Sequence, residues 1–115
     1  MPEYKKRELK FIGSALKDLK QFPAKVKREV GFDLDMVQSG ETPATAKSLT
    51  GGVMELVERY NKDTYRAVYV ANIGGVVYVL HCFKKKSKQG IKTPKEDIDL
   101  IRQRLRQAKE EEKRS

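Results

Sequence analysis

A chain of 115 residues has room for one compact domain with one modest core, and not for two. The composition is polar, with 38% hydrophobic and 36% charged residues, but the apolar residues fall in periodic runs, which excludes disorder except at the two ends. A net charge of +9 and a pI near 9.7 favour a polyanionic partner: nucleic acid, an anionic membrane or an acidic protein.

The sequence also predicts the cellular setting of the protein. Its single cysteine, Cys82, rules out an internal disulfide framework and offers no zinc-ligand set. No apolar run reaches the roughly 18 residues that a membrane-spanning helix needs. The first ten residues lack the apolar core of a signal peptide. We therefore expect a cytoplasmic, reduced and soluble protein.

The first forty residues predict a strand followed by a helical hairpin. Leu9, Phe11 and Ile12 indicate a short strand, and Ser14 is a suitable N-cap for the first helix. Pro23 separates two stretches in which apolar residues recur at helical spacing. These apolar positions are Leu16, Leu19 and Phe22 in the first stretch and Val26, Val30, Leu34 and Val37 in the second. The hairpin thus has one apolar face.

The middle of the chain predicts a loop and then three strands. The loop is residues 41–52, and the strands are residues 53–60, 65–71 and 76–83. Short turns between the strands predict an antiparallel meander. Because the last strand is apolar on both alternations except at His81, it is expected to be central and covered on both faces.

The last third predicts a lysine-rich loop and a terminal helix. The loop is residues 84–92, and the Thr93-Pro94-Lys95-Glu96 sequence is typical of a capping box. The helix carries an apolar stripe that consists of Ile98, Ile101, Leu105 and Ala108. Its arginines lie largely away from that stripe: Arg102, Arg104 and Arg106. Residues 1–8 and 109–115 are expected to be flexible. The predicted fold is a single α+β domain over residues 1–115, with an N-terminal helical hairpin on a small antiparallel sheet and a C-terminal helix.

The familiar motifs of enzymes are missing from the sequence, and cations are the chemical groups that stand out. There is no phosphate-binding glycine loop, no nucleophile elbow and no zinc-binding histidine pair. Arg66, in the middle of a strand, needs either a structural ion pair with Glu55 or Glu58 or a ligand to meet its charge. His81 is either a hydrogen-bonded structural histidine or, with an ordinary pKa of about 6.5, a proton carrier.

The lysine cluster has two interpretations as well. Six lysines fall within twelve residues without one acid: Lys84, Lys85, Lys86, Lys88, Lys92 and Lys95. Such a run is usually a solvated loop, but this density of unpaired charge favours phosphate binding. From the residues alone, the chain is a small basic α+β protein that interacts with RNA or DNA.

Three segments resemble the RelE/ParE toxin superfamily, and within it most closely the phage-derived HigB-like branch. They are YRAVYV at residues 65–70, VYVLHCFKKK at residues 77–86 and KTP at residues 92–94. FIGSALKDL at residues 11–19 resembles the start of that branch, so that the resemblance covers about residues 9–107. Single segments are weak signals, but their order and spacing together are specific.

The resemblance implies the toxin of a type II toxin–antitoxin system that cleaves mRNA in the ribosomal A site. Relatives need no metal or other cofactor, and they promote attack of a 2′-OH on the adjacent phosphate. The implied partners are a cognate helix-turn-helix antitoxin, in a toxin–antitoxin hetero-oligomer, and mRNA with the ribosome. No membrane partner is implied.

Carried over by position, the resemblance implies a set of site residues. The catalytic residues would be Arg66, Lys85 and His81, and the phosphate-binding residues would be Arg59, Lys84, Lys86, Lys88 and Lys92. Some relatives have a catalytic tyrosine or histidine near the C-terminus, but residues 104–115 contain neither. The proton donor would then be a lysine or His81. The alternatives are a non-catalytic or gyrase-targeting member that acts by binding and, third, a membrane-surface protein.

Overall fold

The computed structural model describes residues 6–86 and 93–114, which form five strands and three helices. The strands are β1 (Glu8–Phe11), β2 (Ala46–Thr50), β3 (Val53–Tyr60), β4 (Asp63–Ile73) and β5 (Val76–Lys86). The helices are α1 (Ala15–Lys20), α2 (Ala24–Gln38) and α3 (Lys95–Arg114). The fold is α+β, as predicted, but several details differ.

The strands form one mixed sheet in the order β1-β5-β4-β3-β2. Neighbouring strands are antiparallel except β1, which runs parallel to β5 with Phe11 opposite Val79. The prediction of an antiparallel sheet is therefore wrong at this edge. The reason is that β1 leads into helices, and a strand followed by a crossover can join the sheet in parallel. The predicted central position of the last strand is confirmed, because β5 lies between β1 and β4.

The hairpin between β3 and β4 sets the register of the central sheet. Asn61 and Lys62 form its turn with φ angles of 48° and 68°, which match the twist of a tight two-residue hairpin. This turn starts β4 at Asp63, earlier than predicted, and Asp63 is opposite Lys86. Residues 84–86 thus continue β5, and their assignment to a loop was wrong because β4 is long enough to pair with them.

The prediction that residues 41–52 form only a loop is also wrong. Ala46–Thr50 is the edge strand β2, which pairs with β3 through the turn at Gly51 and Gly52. An edge strand that is half-exposed needs few apolar residues. The strand sequence AKSLT is therefore polar, and its composition could not be told from that of a loop. Both glycines have positive φ angles, as a tight hairpin turn requires.

The helices cover both faces of the sheet. On one face, α1 packs over β5 and α2 packs mainly over β3, around a core that includes Leu34, Leu56 and Val79. On the other face, α3 packs over β5 and β4 around a core that includes Tyr78 and Ile101. The predicted N-terminal hairpin is not accurate, because α1 has only six residues and each helix contacts the sheet at a different place.

Helix α3 is bonded to the rest of the fold by Arg104 and Glu112. The sequence predicted that Arg104 lies away from the apolar stripe and that Glu112 belongs to a flexible end. Arg104 Nη1 donates to the backbone oxygen of Leu80 at 2.9 Å, and its Nη2 donates to Ser14 Oγ at 3.1 Å. The Tyr78 hydroxyl donates to Glu112 Oε2 at 2.6 Å, within a helix that continues to Arg114. The last turns of α3 are therefore held by the sheet.

The expected flexibility at the N-terminus is also not seen from residue 6 onwards. The backbone NH of Arg7 donates to the Gln38 oxygen at 2.9 Å, and Gln38 Nε2 donates to the Arg7 oxygen at 2.7 Å. Residues 1–5 and 115 lie outside the described residues. Among the helices that the structure describes, none has the length and apolarity to cross a bilayer.

The Arg104 anchor can be tested at Gly13. Both Gly13 and Gly51 have positive φ angles, but a Cβ at Gly13 would lie 2.9 Å from Arg104, whereas a Cβ at Gly51 would meet open space. We expect Gly51→Ala to lose about 1 kcal/mol of unfolding free energy from backbone strain alone. Gly13→Ala should lose about 1 kcal/mol more, because Arg104 must give up hydrogen bonds. Urea denaturation of both variants measures the difference, and equal losses would contradict the anchor.

Candidate functional site

Strand alternation places three predicted catalytic side chains on one face of the sheet, beneath the start of α3. The register pairs on this face are Thr64 with Lys85, Arg66 with Phe83 and Val68 with His81. Residues opposite or diagonal to one another on paired strands are within side-chain reach. Arg66, His81 and Lys85 therefore share one face and one neighbourhood, although they are separated in the sequence.

Arg66 is buried in an ion pair with Glu55. Its Nη1 lies 2.7 Å from Glu55 Oε1, and the two side chains are only 6% and 5% exposed. The sequence allowed Glu55 or Glu58 as the partner. Glu55 is the one because it is opposite Val68 on the face that carries Arg66, whereas Glu58 is opposite Tyr65 on the other face. A buried guanidinium needs such a partner to offset the loss of hydration.

Thr93 links this ion pair to the helix that follows. Its hydroxyl donates to Glu55 Oε2 at 2.9 Å and accepts from Arg66 Nη1 at 3.4 Å. The sequence predicts only a capping box at Thr93 and gives no sign of this contact with the ion pair. The start of α3 is thus bonded to the middle of the sheet.

His81 is held from α3 as well. Its Nε2 lies 2.7 Å from Asp97 Oδ1, and its ring stacks on Phe83 with centroids 4.7 Å apart. Its Nδ1 is buried and has no hydrogen-bond partner among the residues that the structure describes. Both ring nitrogens thus face protein atoms, and His81 can exchange a proton with a ligand only if the contact with Asp97 opens.

Lys85 is a buried lysine next to the ion pair. It is only 8% exposed. Burial lowers its pKa, and the nearby charge of Arg66 lowers it further, while Glu55 and Asp97 act in the opposite direction. Burial is the larger of the two causes that lower it. A lysine with a lowered pKa gives up a proton more readily than an exposed one.

The other cations of the sequence-based set are dispersed. Lys84 points to the opposite face of β5, with its side chain 49% exposed and its Nζ 3.7 Å from Asp63 Oδ2. Arg59 is exposed near the end of β3, on the same face as Lys85 because both are opposite Thr64. The side chain of Lys86 and the whole of Lys88 and Lys92 lie outside the described residues. Strand alternation therefore divides the lysine cluster between the two faces of the sheet. Of its lysines whose side chains the structure describes, Lys85 is the one that is buried beside Arg66.

Sequence reasoning missed two polar residues of this site and undervalued a third. Thr93 and Asp97 were not predicted to take part, and Glu55 was considered only as a structural partner. An acid in the first turn of a helix is common for reasons of the helix dipole, so Asp97 carried no distinct signal. A search for polar residues around KTP, next to the cationic strand, could have found both.

The arrangement combines groups for anion binding and for proton transfer. Arg66 and Lys85 can bind phosphate oxygens, Glu55 can accept a proton, and Lys85 can donate one. Within residues 6–86 and 93–114, no cluster of three or more histidine, cysteine or acidic side chains is placed to hold a metal ion.

Comparison with known structures identifies the fold as RelE-like. One chain of the crystal structure of the toxin–antitoxin complex RelBE2 from Mycobacterium tuberculosis matches with a TM-score of 0.50 and 19% sequence identity. The match covers 74% of this chain and 98% of that chain. At this identity the similarity shows a shared fold.

The chain belongs to a phage-derived family. Residues 17–106 match the family described as phage derived protein Gp49-like (DUF891), which covers most of the sequence. No curated protein matches the chain significantly. Family and fold together confirm the coarser part of the resemblance, a phage-derived family and a RelE-like fold. They do not single out its HigB-like branch.

The ion pair predicts a distinctive pattern of stabilities. Arg66→Met should lose about 3–5 kcal/mol, because it leaves the buried carboxylate of Glu55 without its counter-charge. Arg66→Met combined with Glu55→Met should recover most of that loss. Arg59→Met, an exposed arginine of the same sheet, is the matched control and should change stability by less than about 0.5 kcal/mol. A double variant less stable than Arg66→Met in urea denaturation would contradict the pairing.

Proposed function

We propose that this protein is the toxin of a type II toxin–antitoxin system and cleaves mRNA on the ribosome without a metal, as a HigB-like member of the superfamily. One observation carries the proposal: Arg66 and Lys85 are buried side by side on one sheet face, next to the carboxylate of Glu55. The RelE-like fold and the phage-derived family support it. An anionic substrate gives these buried cations a function beyond structure.

The proposed reaction is an internal attack within the RNA. The 2′-oxygen forms a bond to the adjacent phosphorus, and the bond from phosphorus to the 5′-oxygen breaks. The 2′-OH proton goes to a base, and the leaving 5′-oxygen takes a proton from an acid. The products are a cyclic phosphate and a free 5′-OH. Negative charge builds up on the phosphate oxygens, where fixed cations stabilise it.

The geometry suggests a role for each side chain. Arg66 binds the phosphate, because the planar, permanently charged guanidinium matches the geometry of phosphate oxygens. Glu55 accepts the proton of the 2′-OH, because it is the carboxylate in contact with Arg66. Lys85, with its lowered pKa, donates to the leaving oxygen. His81 positions Asp97 and the start of α3, since both of its ring nitrogens face inward.

The proposed partners follow from family and charge. A structural relative is a chain of a toxin–antitoxin complex, and by analogy we propose a cognate helix-turn-helix antitoxin that neutralises this protein in a hetero-oligomer. The net charge of +9 suits a polyanionic assembly such as the ribosome with its mRNA. Because ribosomes and mRNA are in the cytoplasm, we propose a cytoplasmic location for this protein.

Ribosomes programmed with mRNA test the assignment. Lys85→Ala should reduce cleavage by about 100-fold or more, a loss typical of a group that stabilises or protonates the transition state. Arg66→Lys keeps the charge that Glu55 needs but loses the planar fork, and should reduce cleavage by about tenfold or more. Arg28→Ala, an exposed arginine of α2 beneath the opposite face, is the control and should cleave as wild type does.

Two results would count against the proposal. If Lys85→Ala and Arg66→Lys cleave as well as Arg28→Ala, the site assignment is wrong. If wild-type protein cuts no mRNA but inhibits supercoiling by gyrase, the protein is a binding toxin instead of a nuclease.

The pH dependence of cleavage tests the role of Lys85 separately. An acid acts only while protonated, so the rate should fall as the pH rises through the lowered pKa of Lys85. Lys85→Arg stays protonated throughout, so its lower rate should lack this alkaline decline. Single-turnover rates between about pH 6 and 10 show the difference. The same decline in both proteins would assign the proton donor to another group.

A further inference from the structure

We propose that the groove between α3 and β2 is a subsite for one nucleotide of single-stranded RNA, directly beside the bond that is cleaved. This inference rests on the proposed function and adds a substrate-binding element to it. The groove has a volume of about 330 Å³ and opens next to the Arg66–Glu55 ion pair. Its size is at the lower end of ligand pockets, which suits one nucleotide and excludes a duplex.

The inner end of the groove is the polar centre already described. Arg66, Glu55 and Thr93 all line it. A phosphate bound to Arg66 therefore lies at the bottom of the groove, and the sugar and base attached to that phosphate must extend outwards. The groove is the space available for them on the β2 side.

The walls of the groove are apolar. Leu49 from β2 and Ile98 from α3 line it, and both side chains are partly buried. Flat aliphatic surfaces of this kind suit the face of a base, because every base has an apolar face whatever its hydrogen-bonding edge. The walls therefore favour a nucleotide without selecting a particular base.

A lysine stands at the mouth of the groove. Lys47 lies on the edge strand β2, is exposed, and is opposite Glu55 in the register. Among the residues that the structure describes, its side chain forms neither an ion pair nor a hydrogen bond. Neighbouring strands are about 5 Å apart, so this flexible ammonium reaches a phosphate adjacent to the one held by Arg66.

The order of these groups matches the chemistry of an RNA strand. A cation lies at the bottom, apolar walls lie along the sides, and a second cation lies at the mouth. An acidic protein segment would be attracted by the cations as well, but it needs an aromatic residue between two acids to match the walls, whereas every internal nucleotide of RNA has a base between two phosphates. A nucleotide flanked by two phosphates matches all three parts.

The test is an NMR titration of the full-length protein with a short RNA that carries 2′-O-methyl groups throughout and so cannot be cleaved. Wild type should show shifts of the backbone NH signals of Ser48, Leu49 and Ile98. Lys47→Ala should weaken binding roughly fivefold and lower the slope of log affinity against log salt by about 0.7. Lys25→Ala, an exposed lysine of α2 over the opposite face, is the matched control and should bind as wild type does.

A second variant fills the groove. Leu49→Trp, on the apolar wall of the groove, should fill the space of the base and weaken binding at least as much as Lys47→Ala. Thermal denaturation checks that both variants remain folded. In the ribosome assay, both should raise KM with kcat within about twofold, because they remove binding and leave the reacting groups in place.

The outcomes separate this inference from the proposed function. If wild type cleaves mRNA but Lys47→Ala and Leu49→Trp bind and cleave as Lys25→Ala does, the subsite is overturned and the nuclease assignment stands. If wild type cleaves nothing but the RNA still shifts Ser48, Leu49 and Ile98 in a Lys47-dependent way, the subsite stands without the nuclease. Equal shifts from a glutamate-rich peptide would show a non-selective anion site and overturn the proposal.

Discussion

The buried ion pair between Arg66 and Glu55 is the interaction on which the site depends. A guanidinium in the middle of a sheet loses its hydration, and only a fixed carboxylate offsets that loss. Glu55 supplies it because the β3–β4 register puts both side chains on one face. The hydroxyl of Thr93 then joins the pair and fixes where α3 begins. A local electrostatic requirement thus connects two strands and a helix that are distant in the sequence.

Strand β5 places its own polar side chains in two different environments. Its alternation sends His81 and Lys85 beneath α3 and sends Cys82 and Lys84 toward the other face. Burial lowers the pKa of Lys85, whereas the side chain of its sequence neighbour Lys84 is half-exposed. Similar residues next to one another in sequence therefore have different chemistry in the fold.

The sequence predicted the parts of the structure that depend on local pattern. Hydrophobic spacing located β3 at both ends, the start of α2 and the central position of β5. Contacts between distant segments could not be predicted in this way. The parallel pairing of β1, the edge strand AKSLT and the inward turn of Arg104 depend on what each segment meets across the fold. Thr93 and Asp97 were missed for the same reason, since their roles come from partners 38 and 16 residues away.

The carboxylates of the site have a consequence for the charge of the whole molecule. Arg66 and Lys85 are matched in number by Glu55 and Asp97, so the interior of the site contributes little to the net charge of +9. The excess belongs to the surface, where its field is screened within about 10 Å at 0.1 M salt. Approach of a polyanion is then governed by surface residues and ionic strength. Arg66 is buried, so dissolved ions have little effect on its contact with a bound phosphate. The rate at which a polyanion associates and the strength of its contact with Arg66 can therefore change independently in evolution.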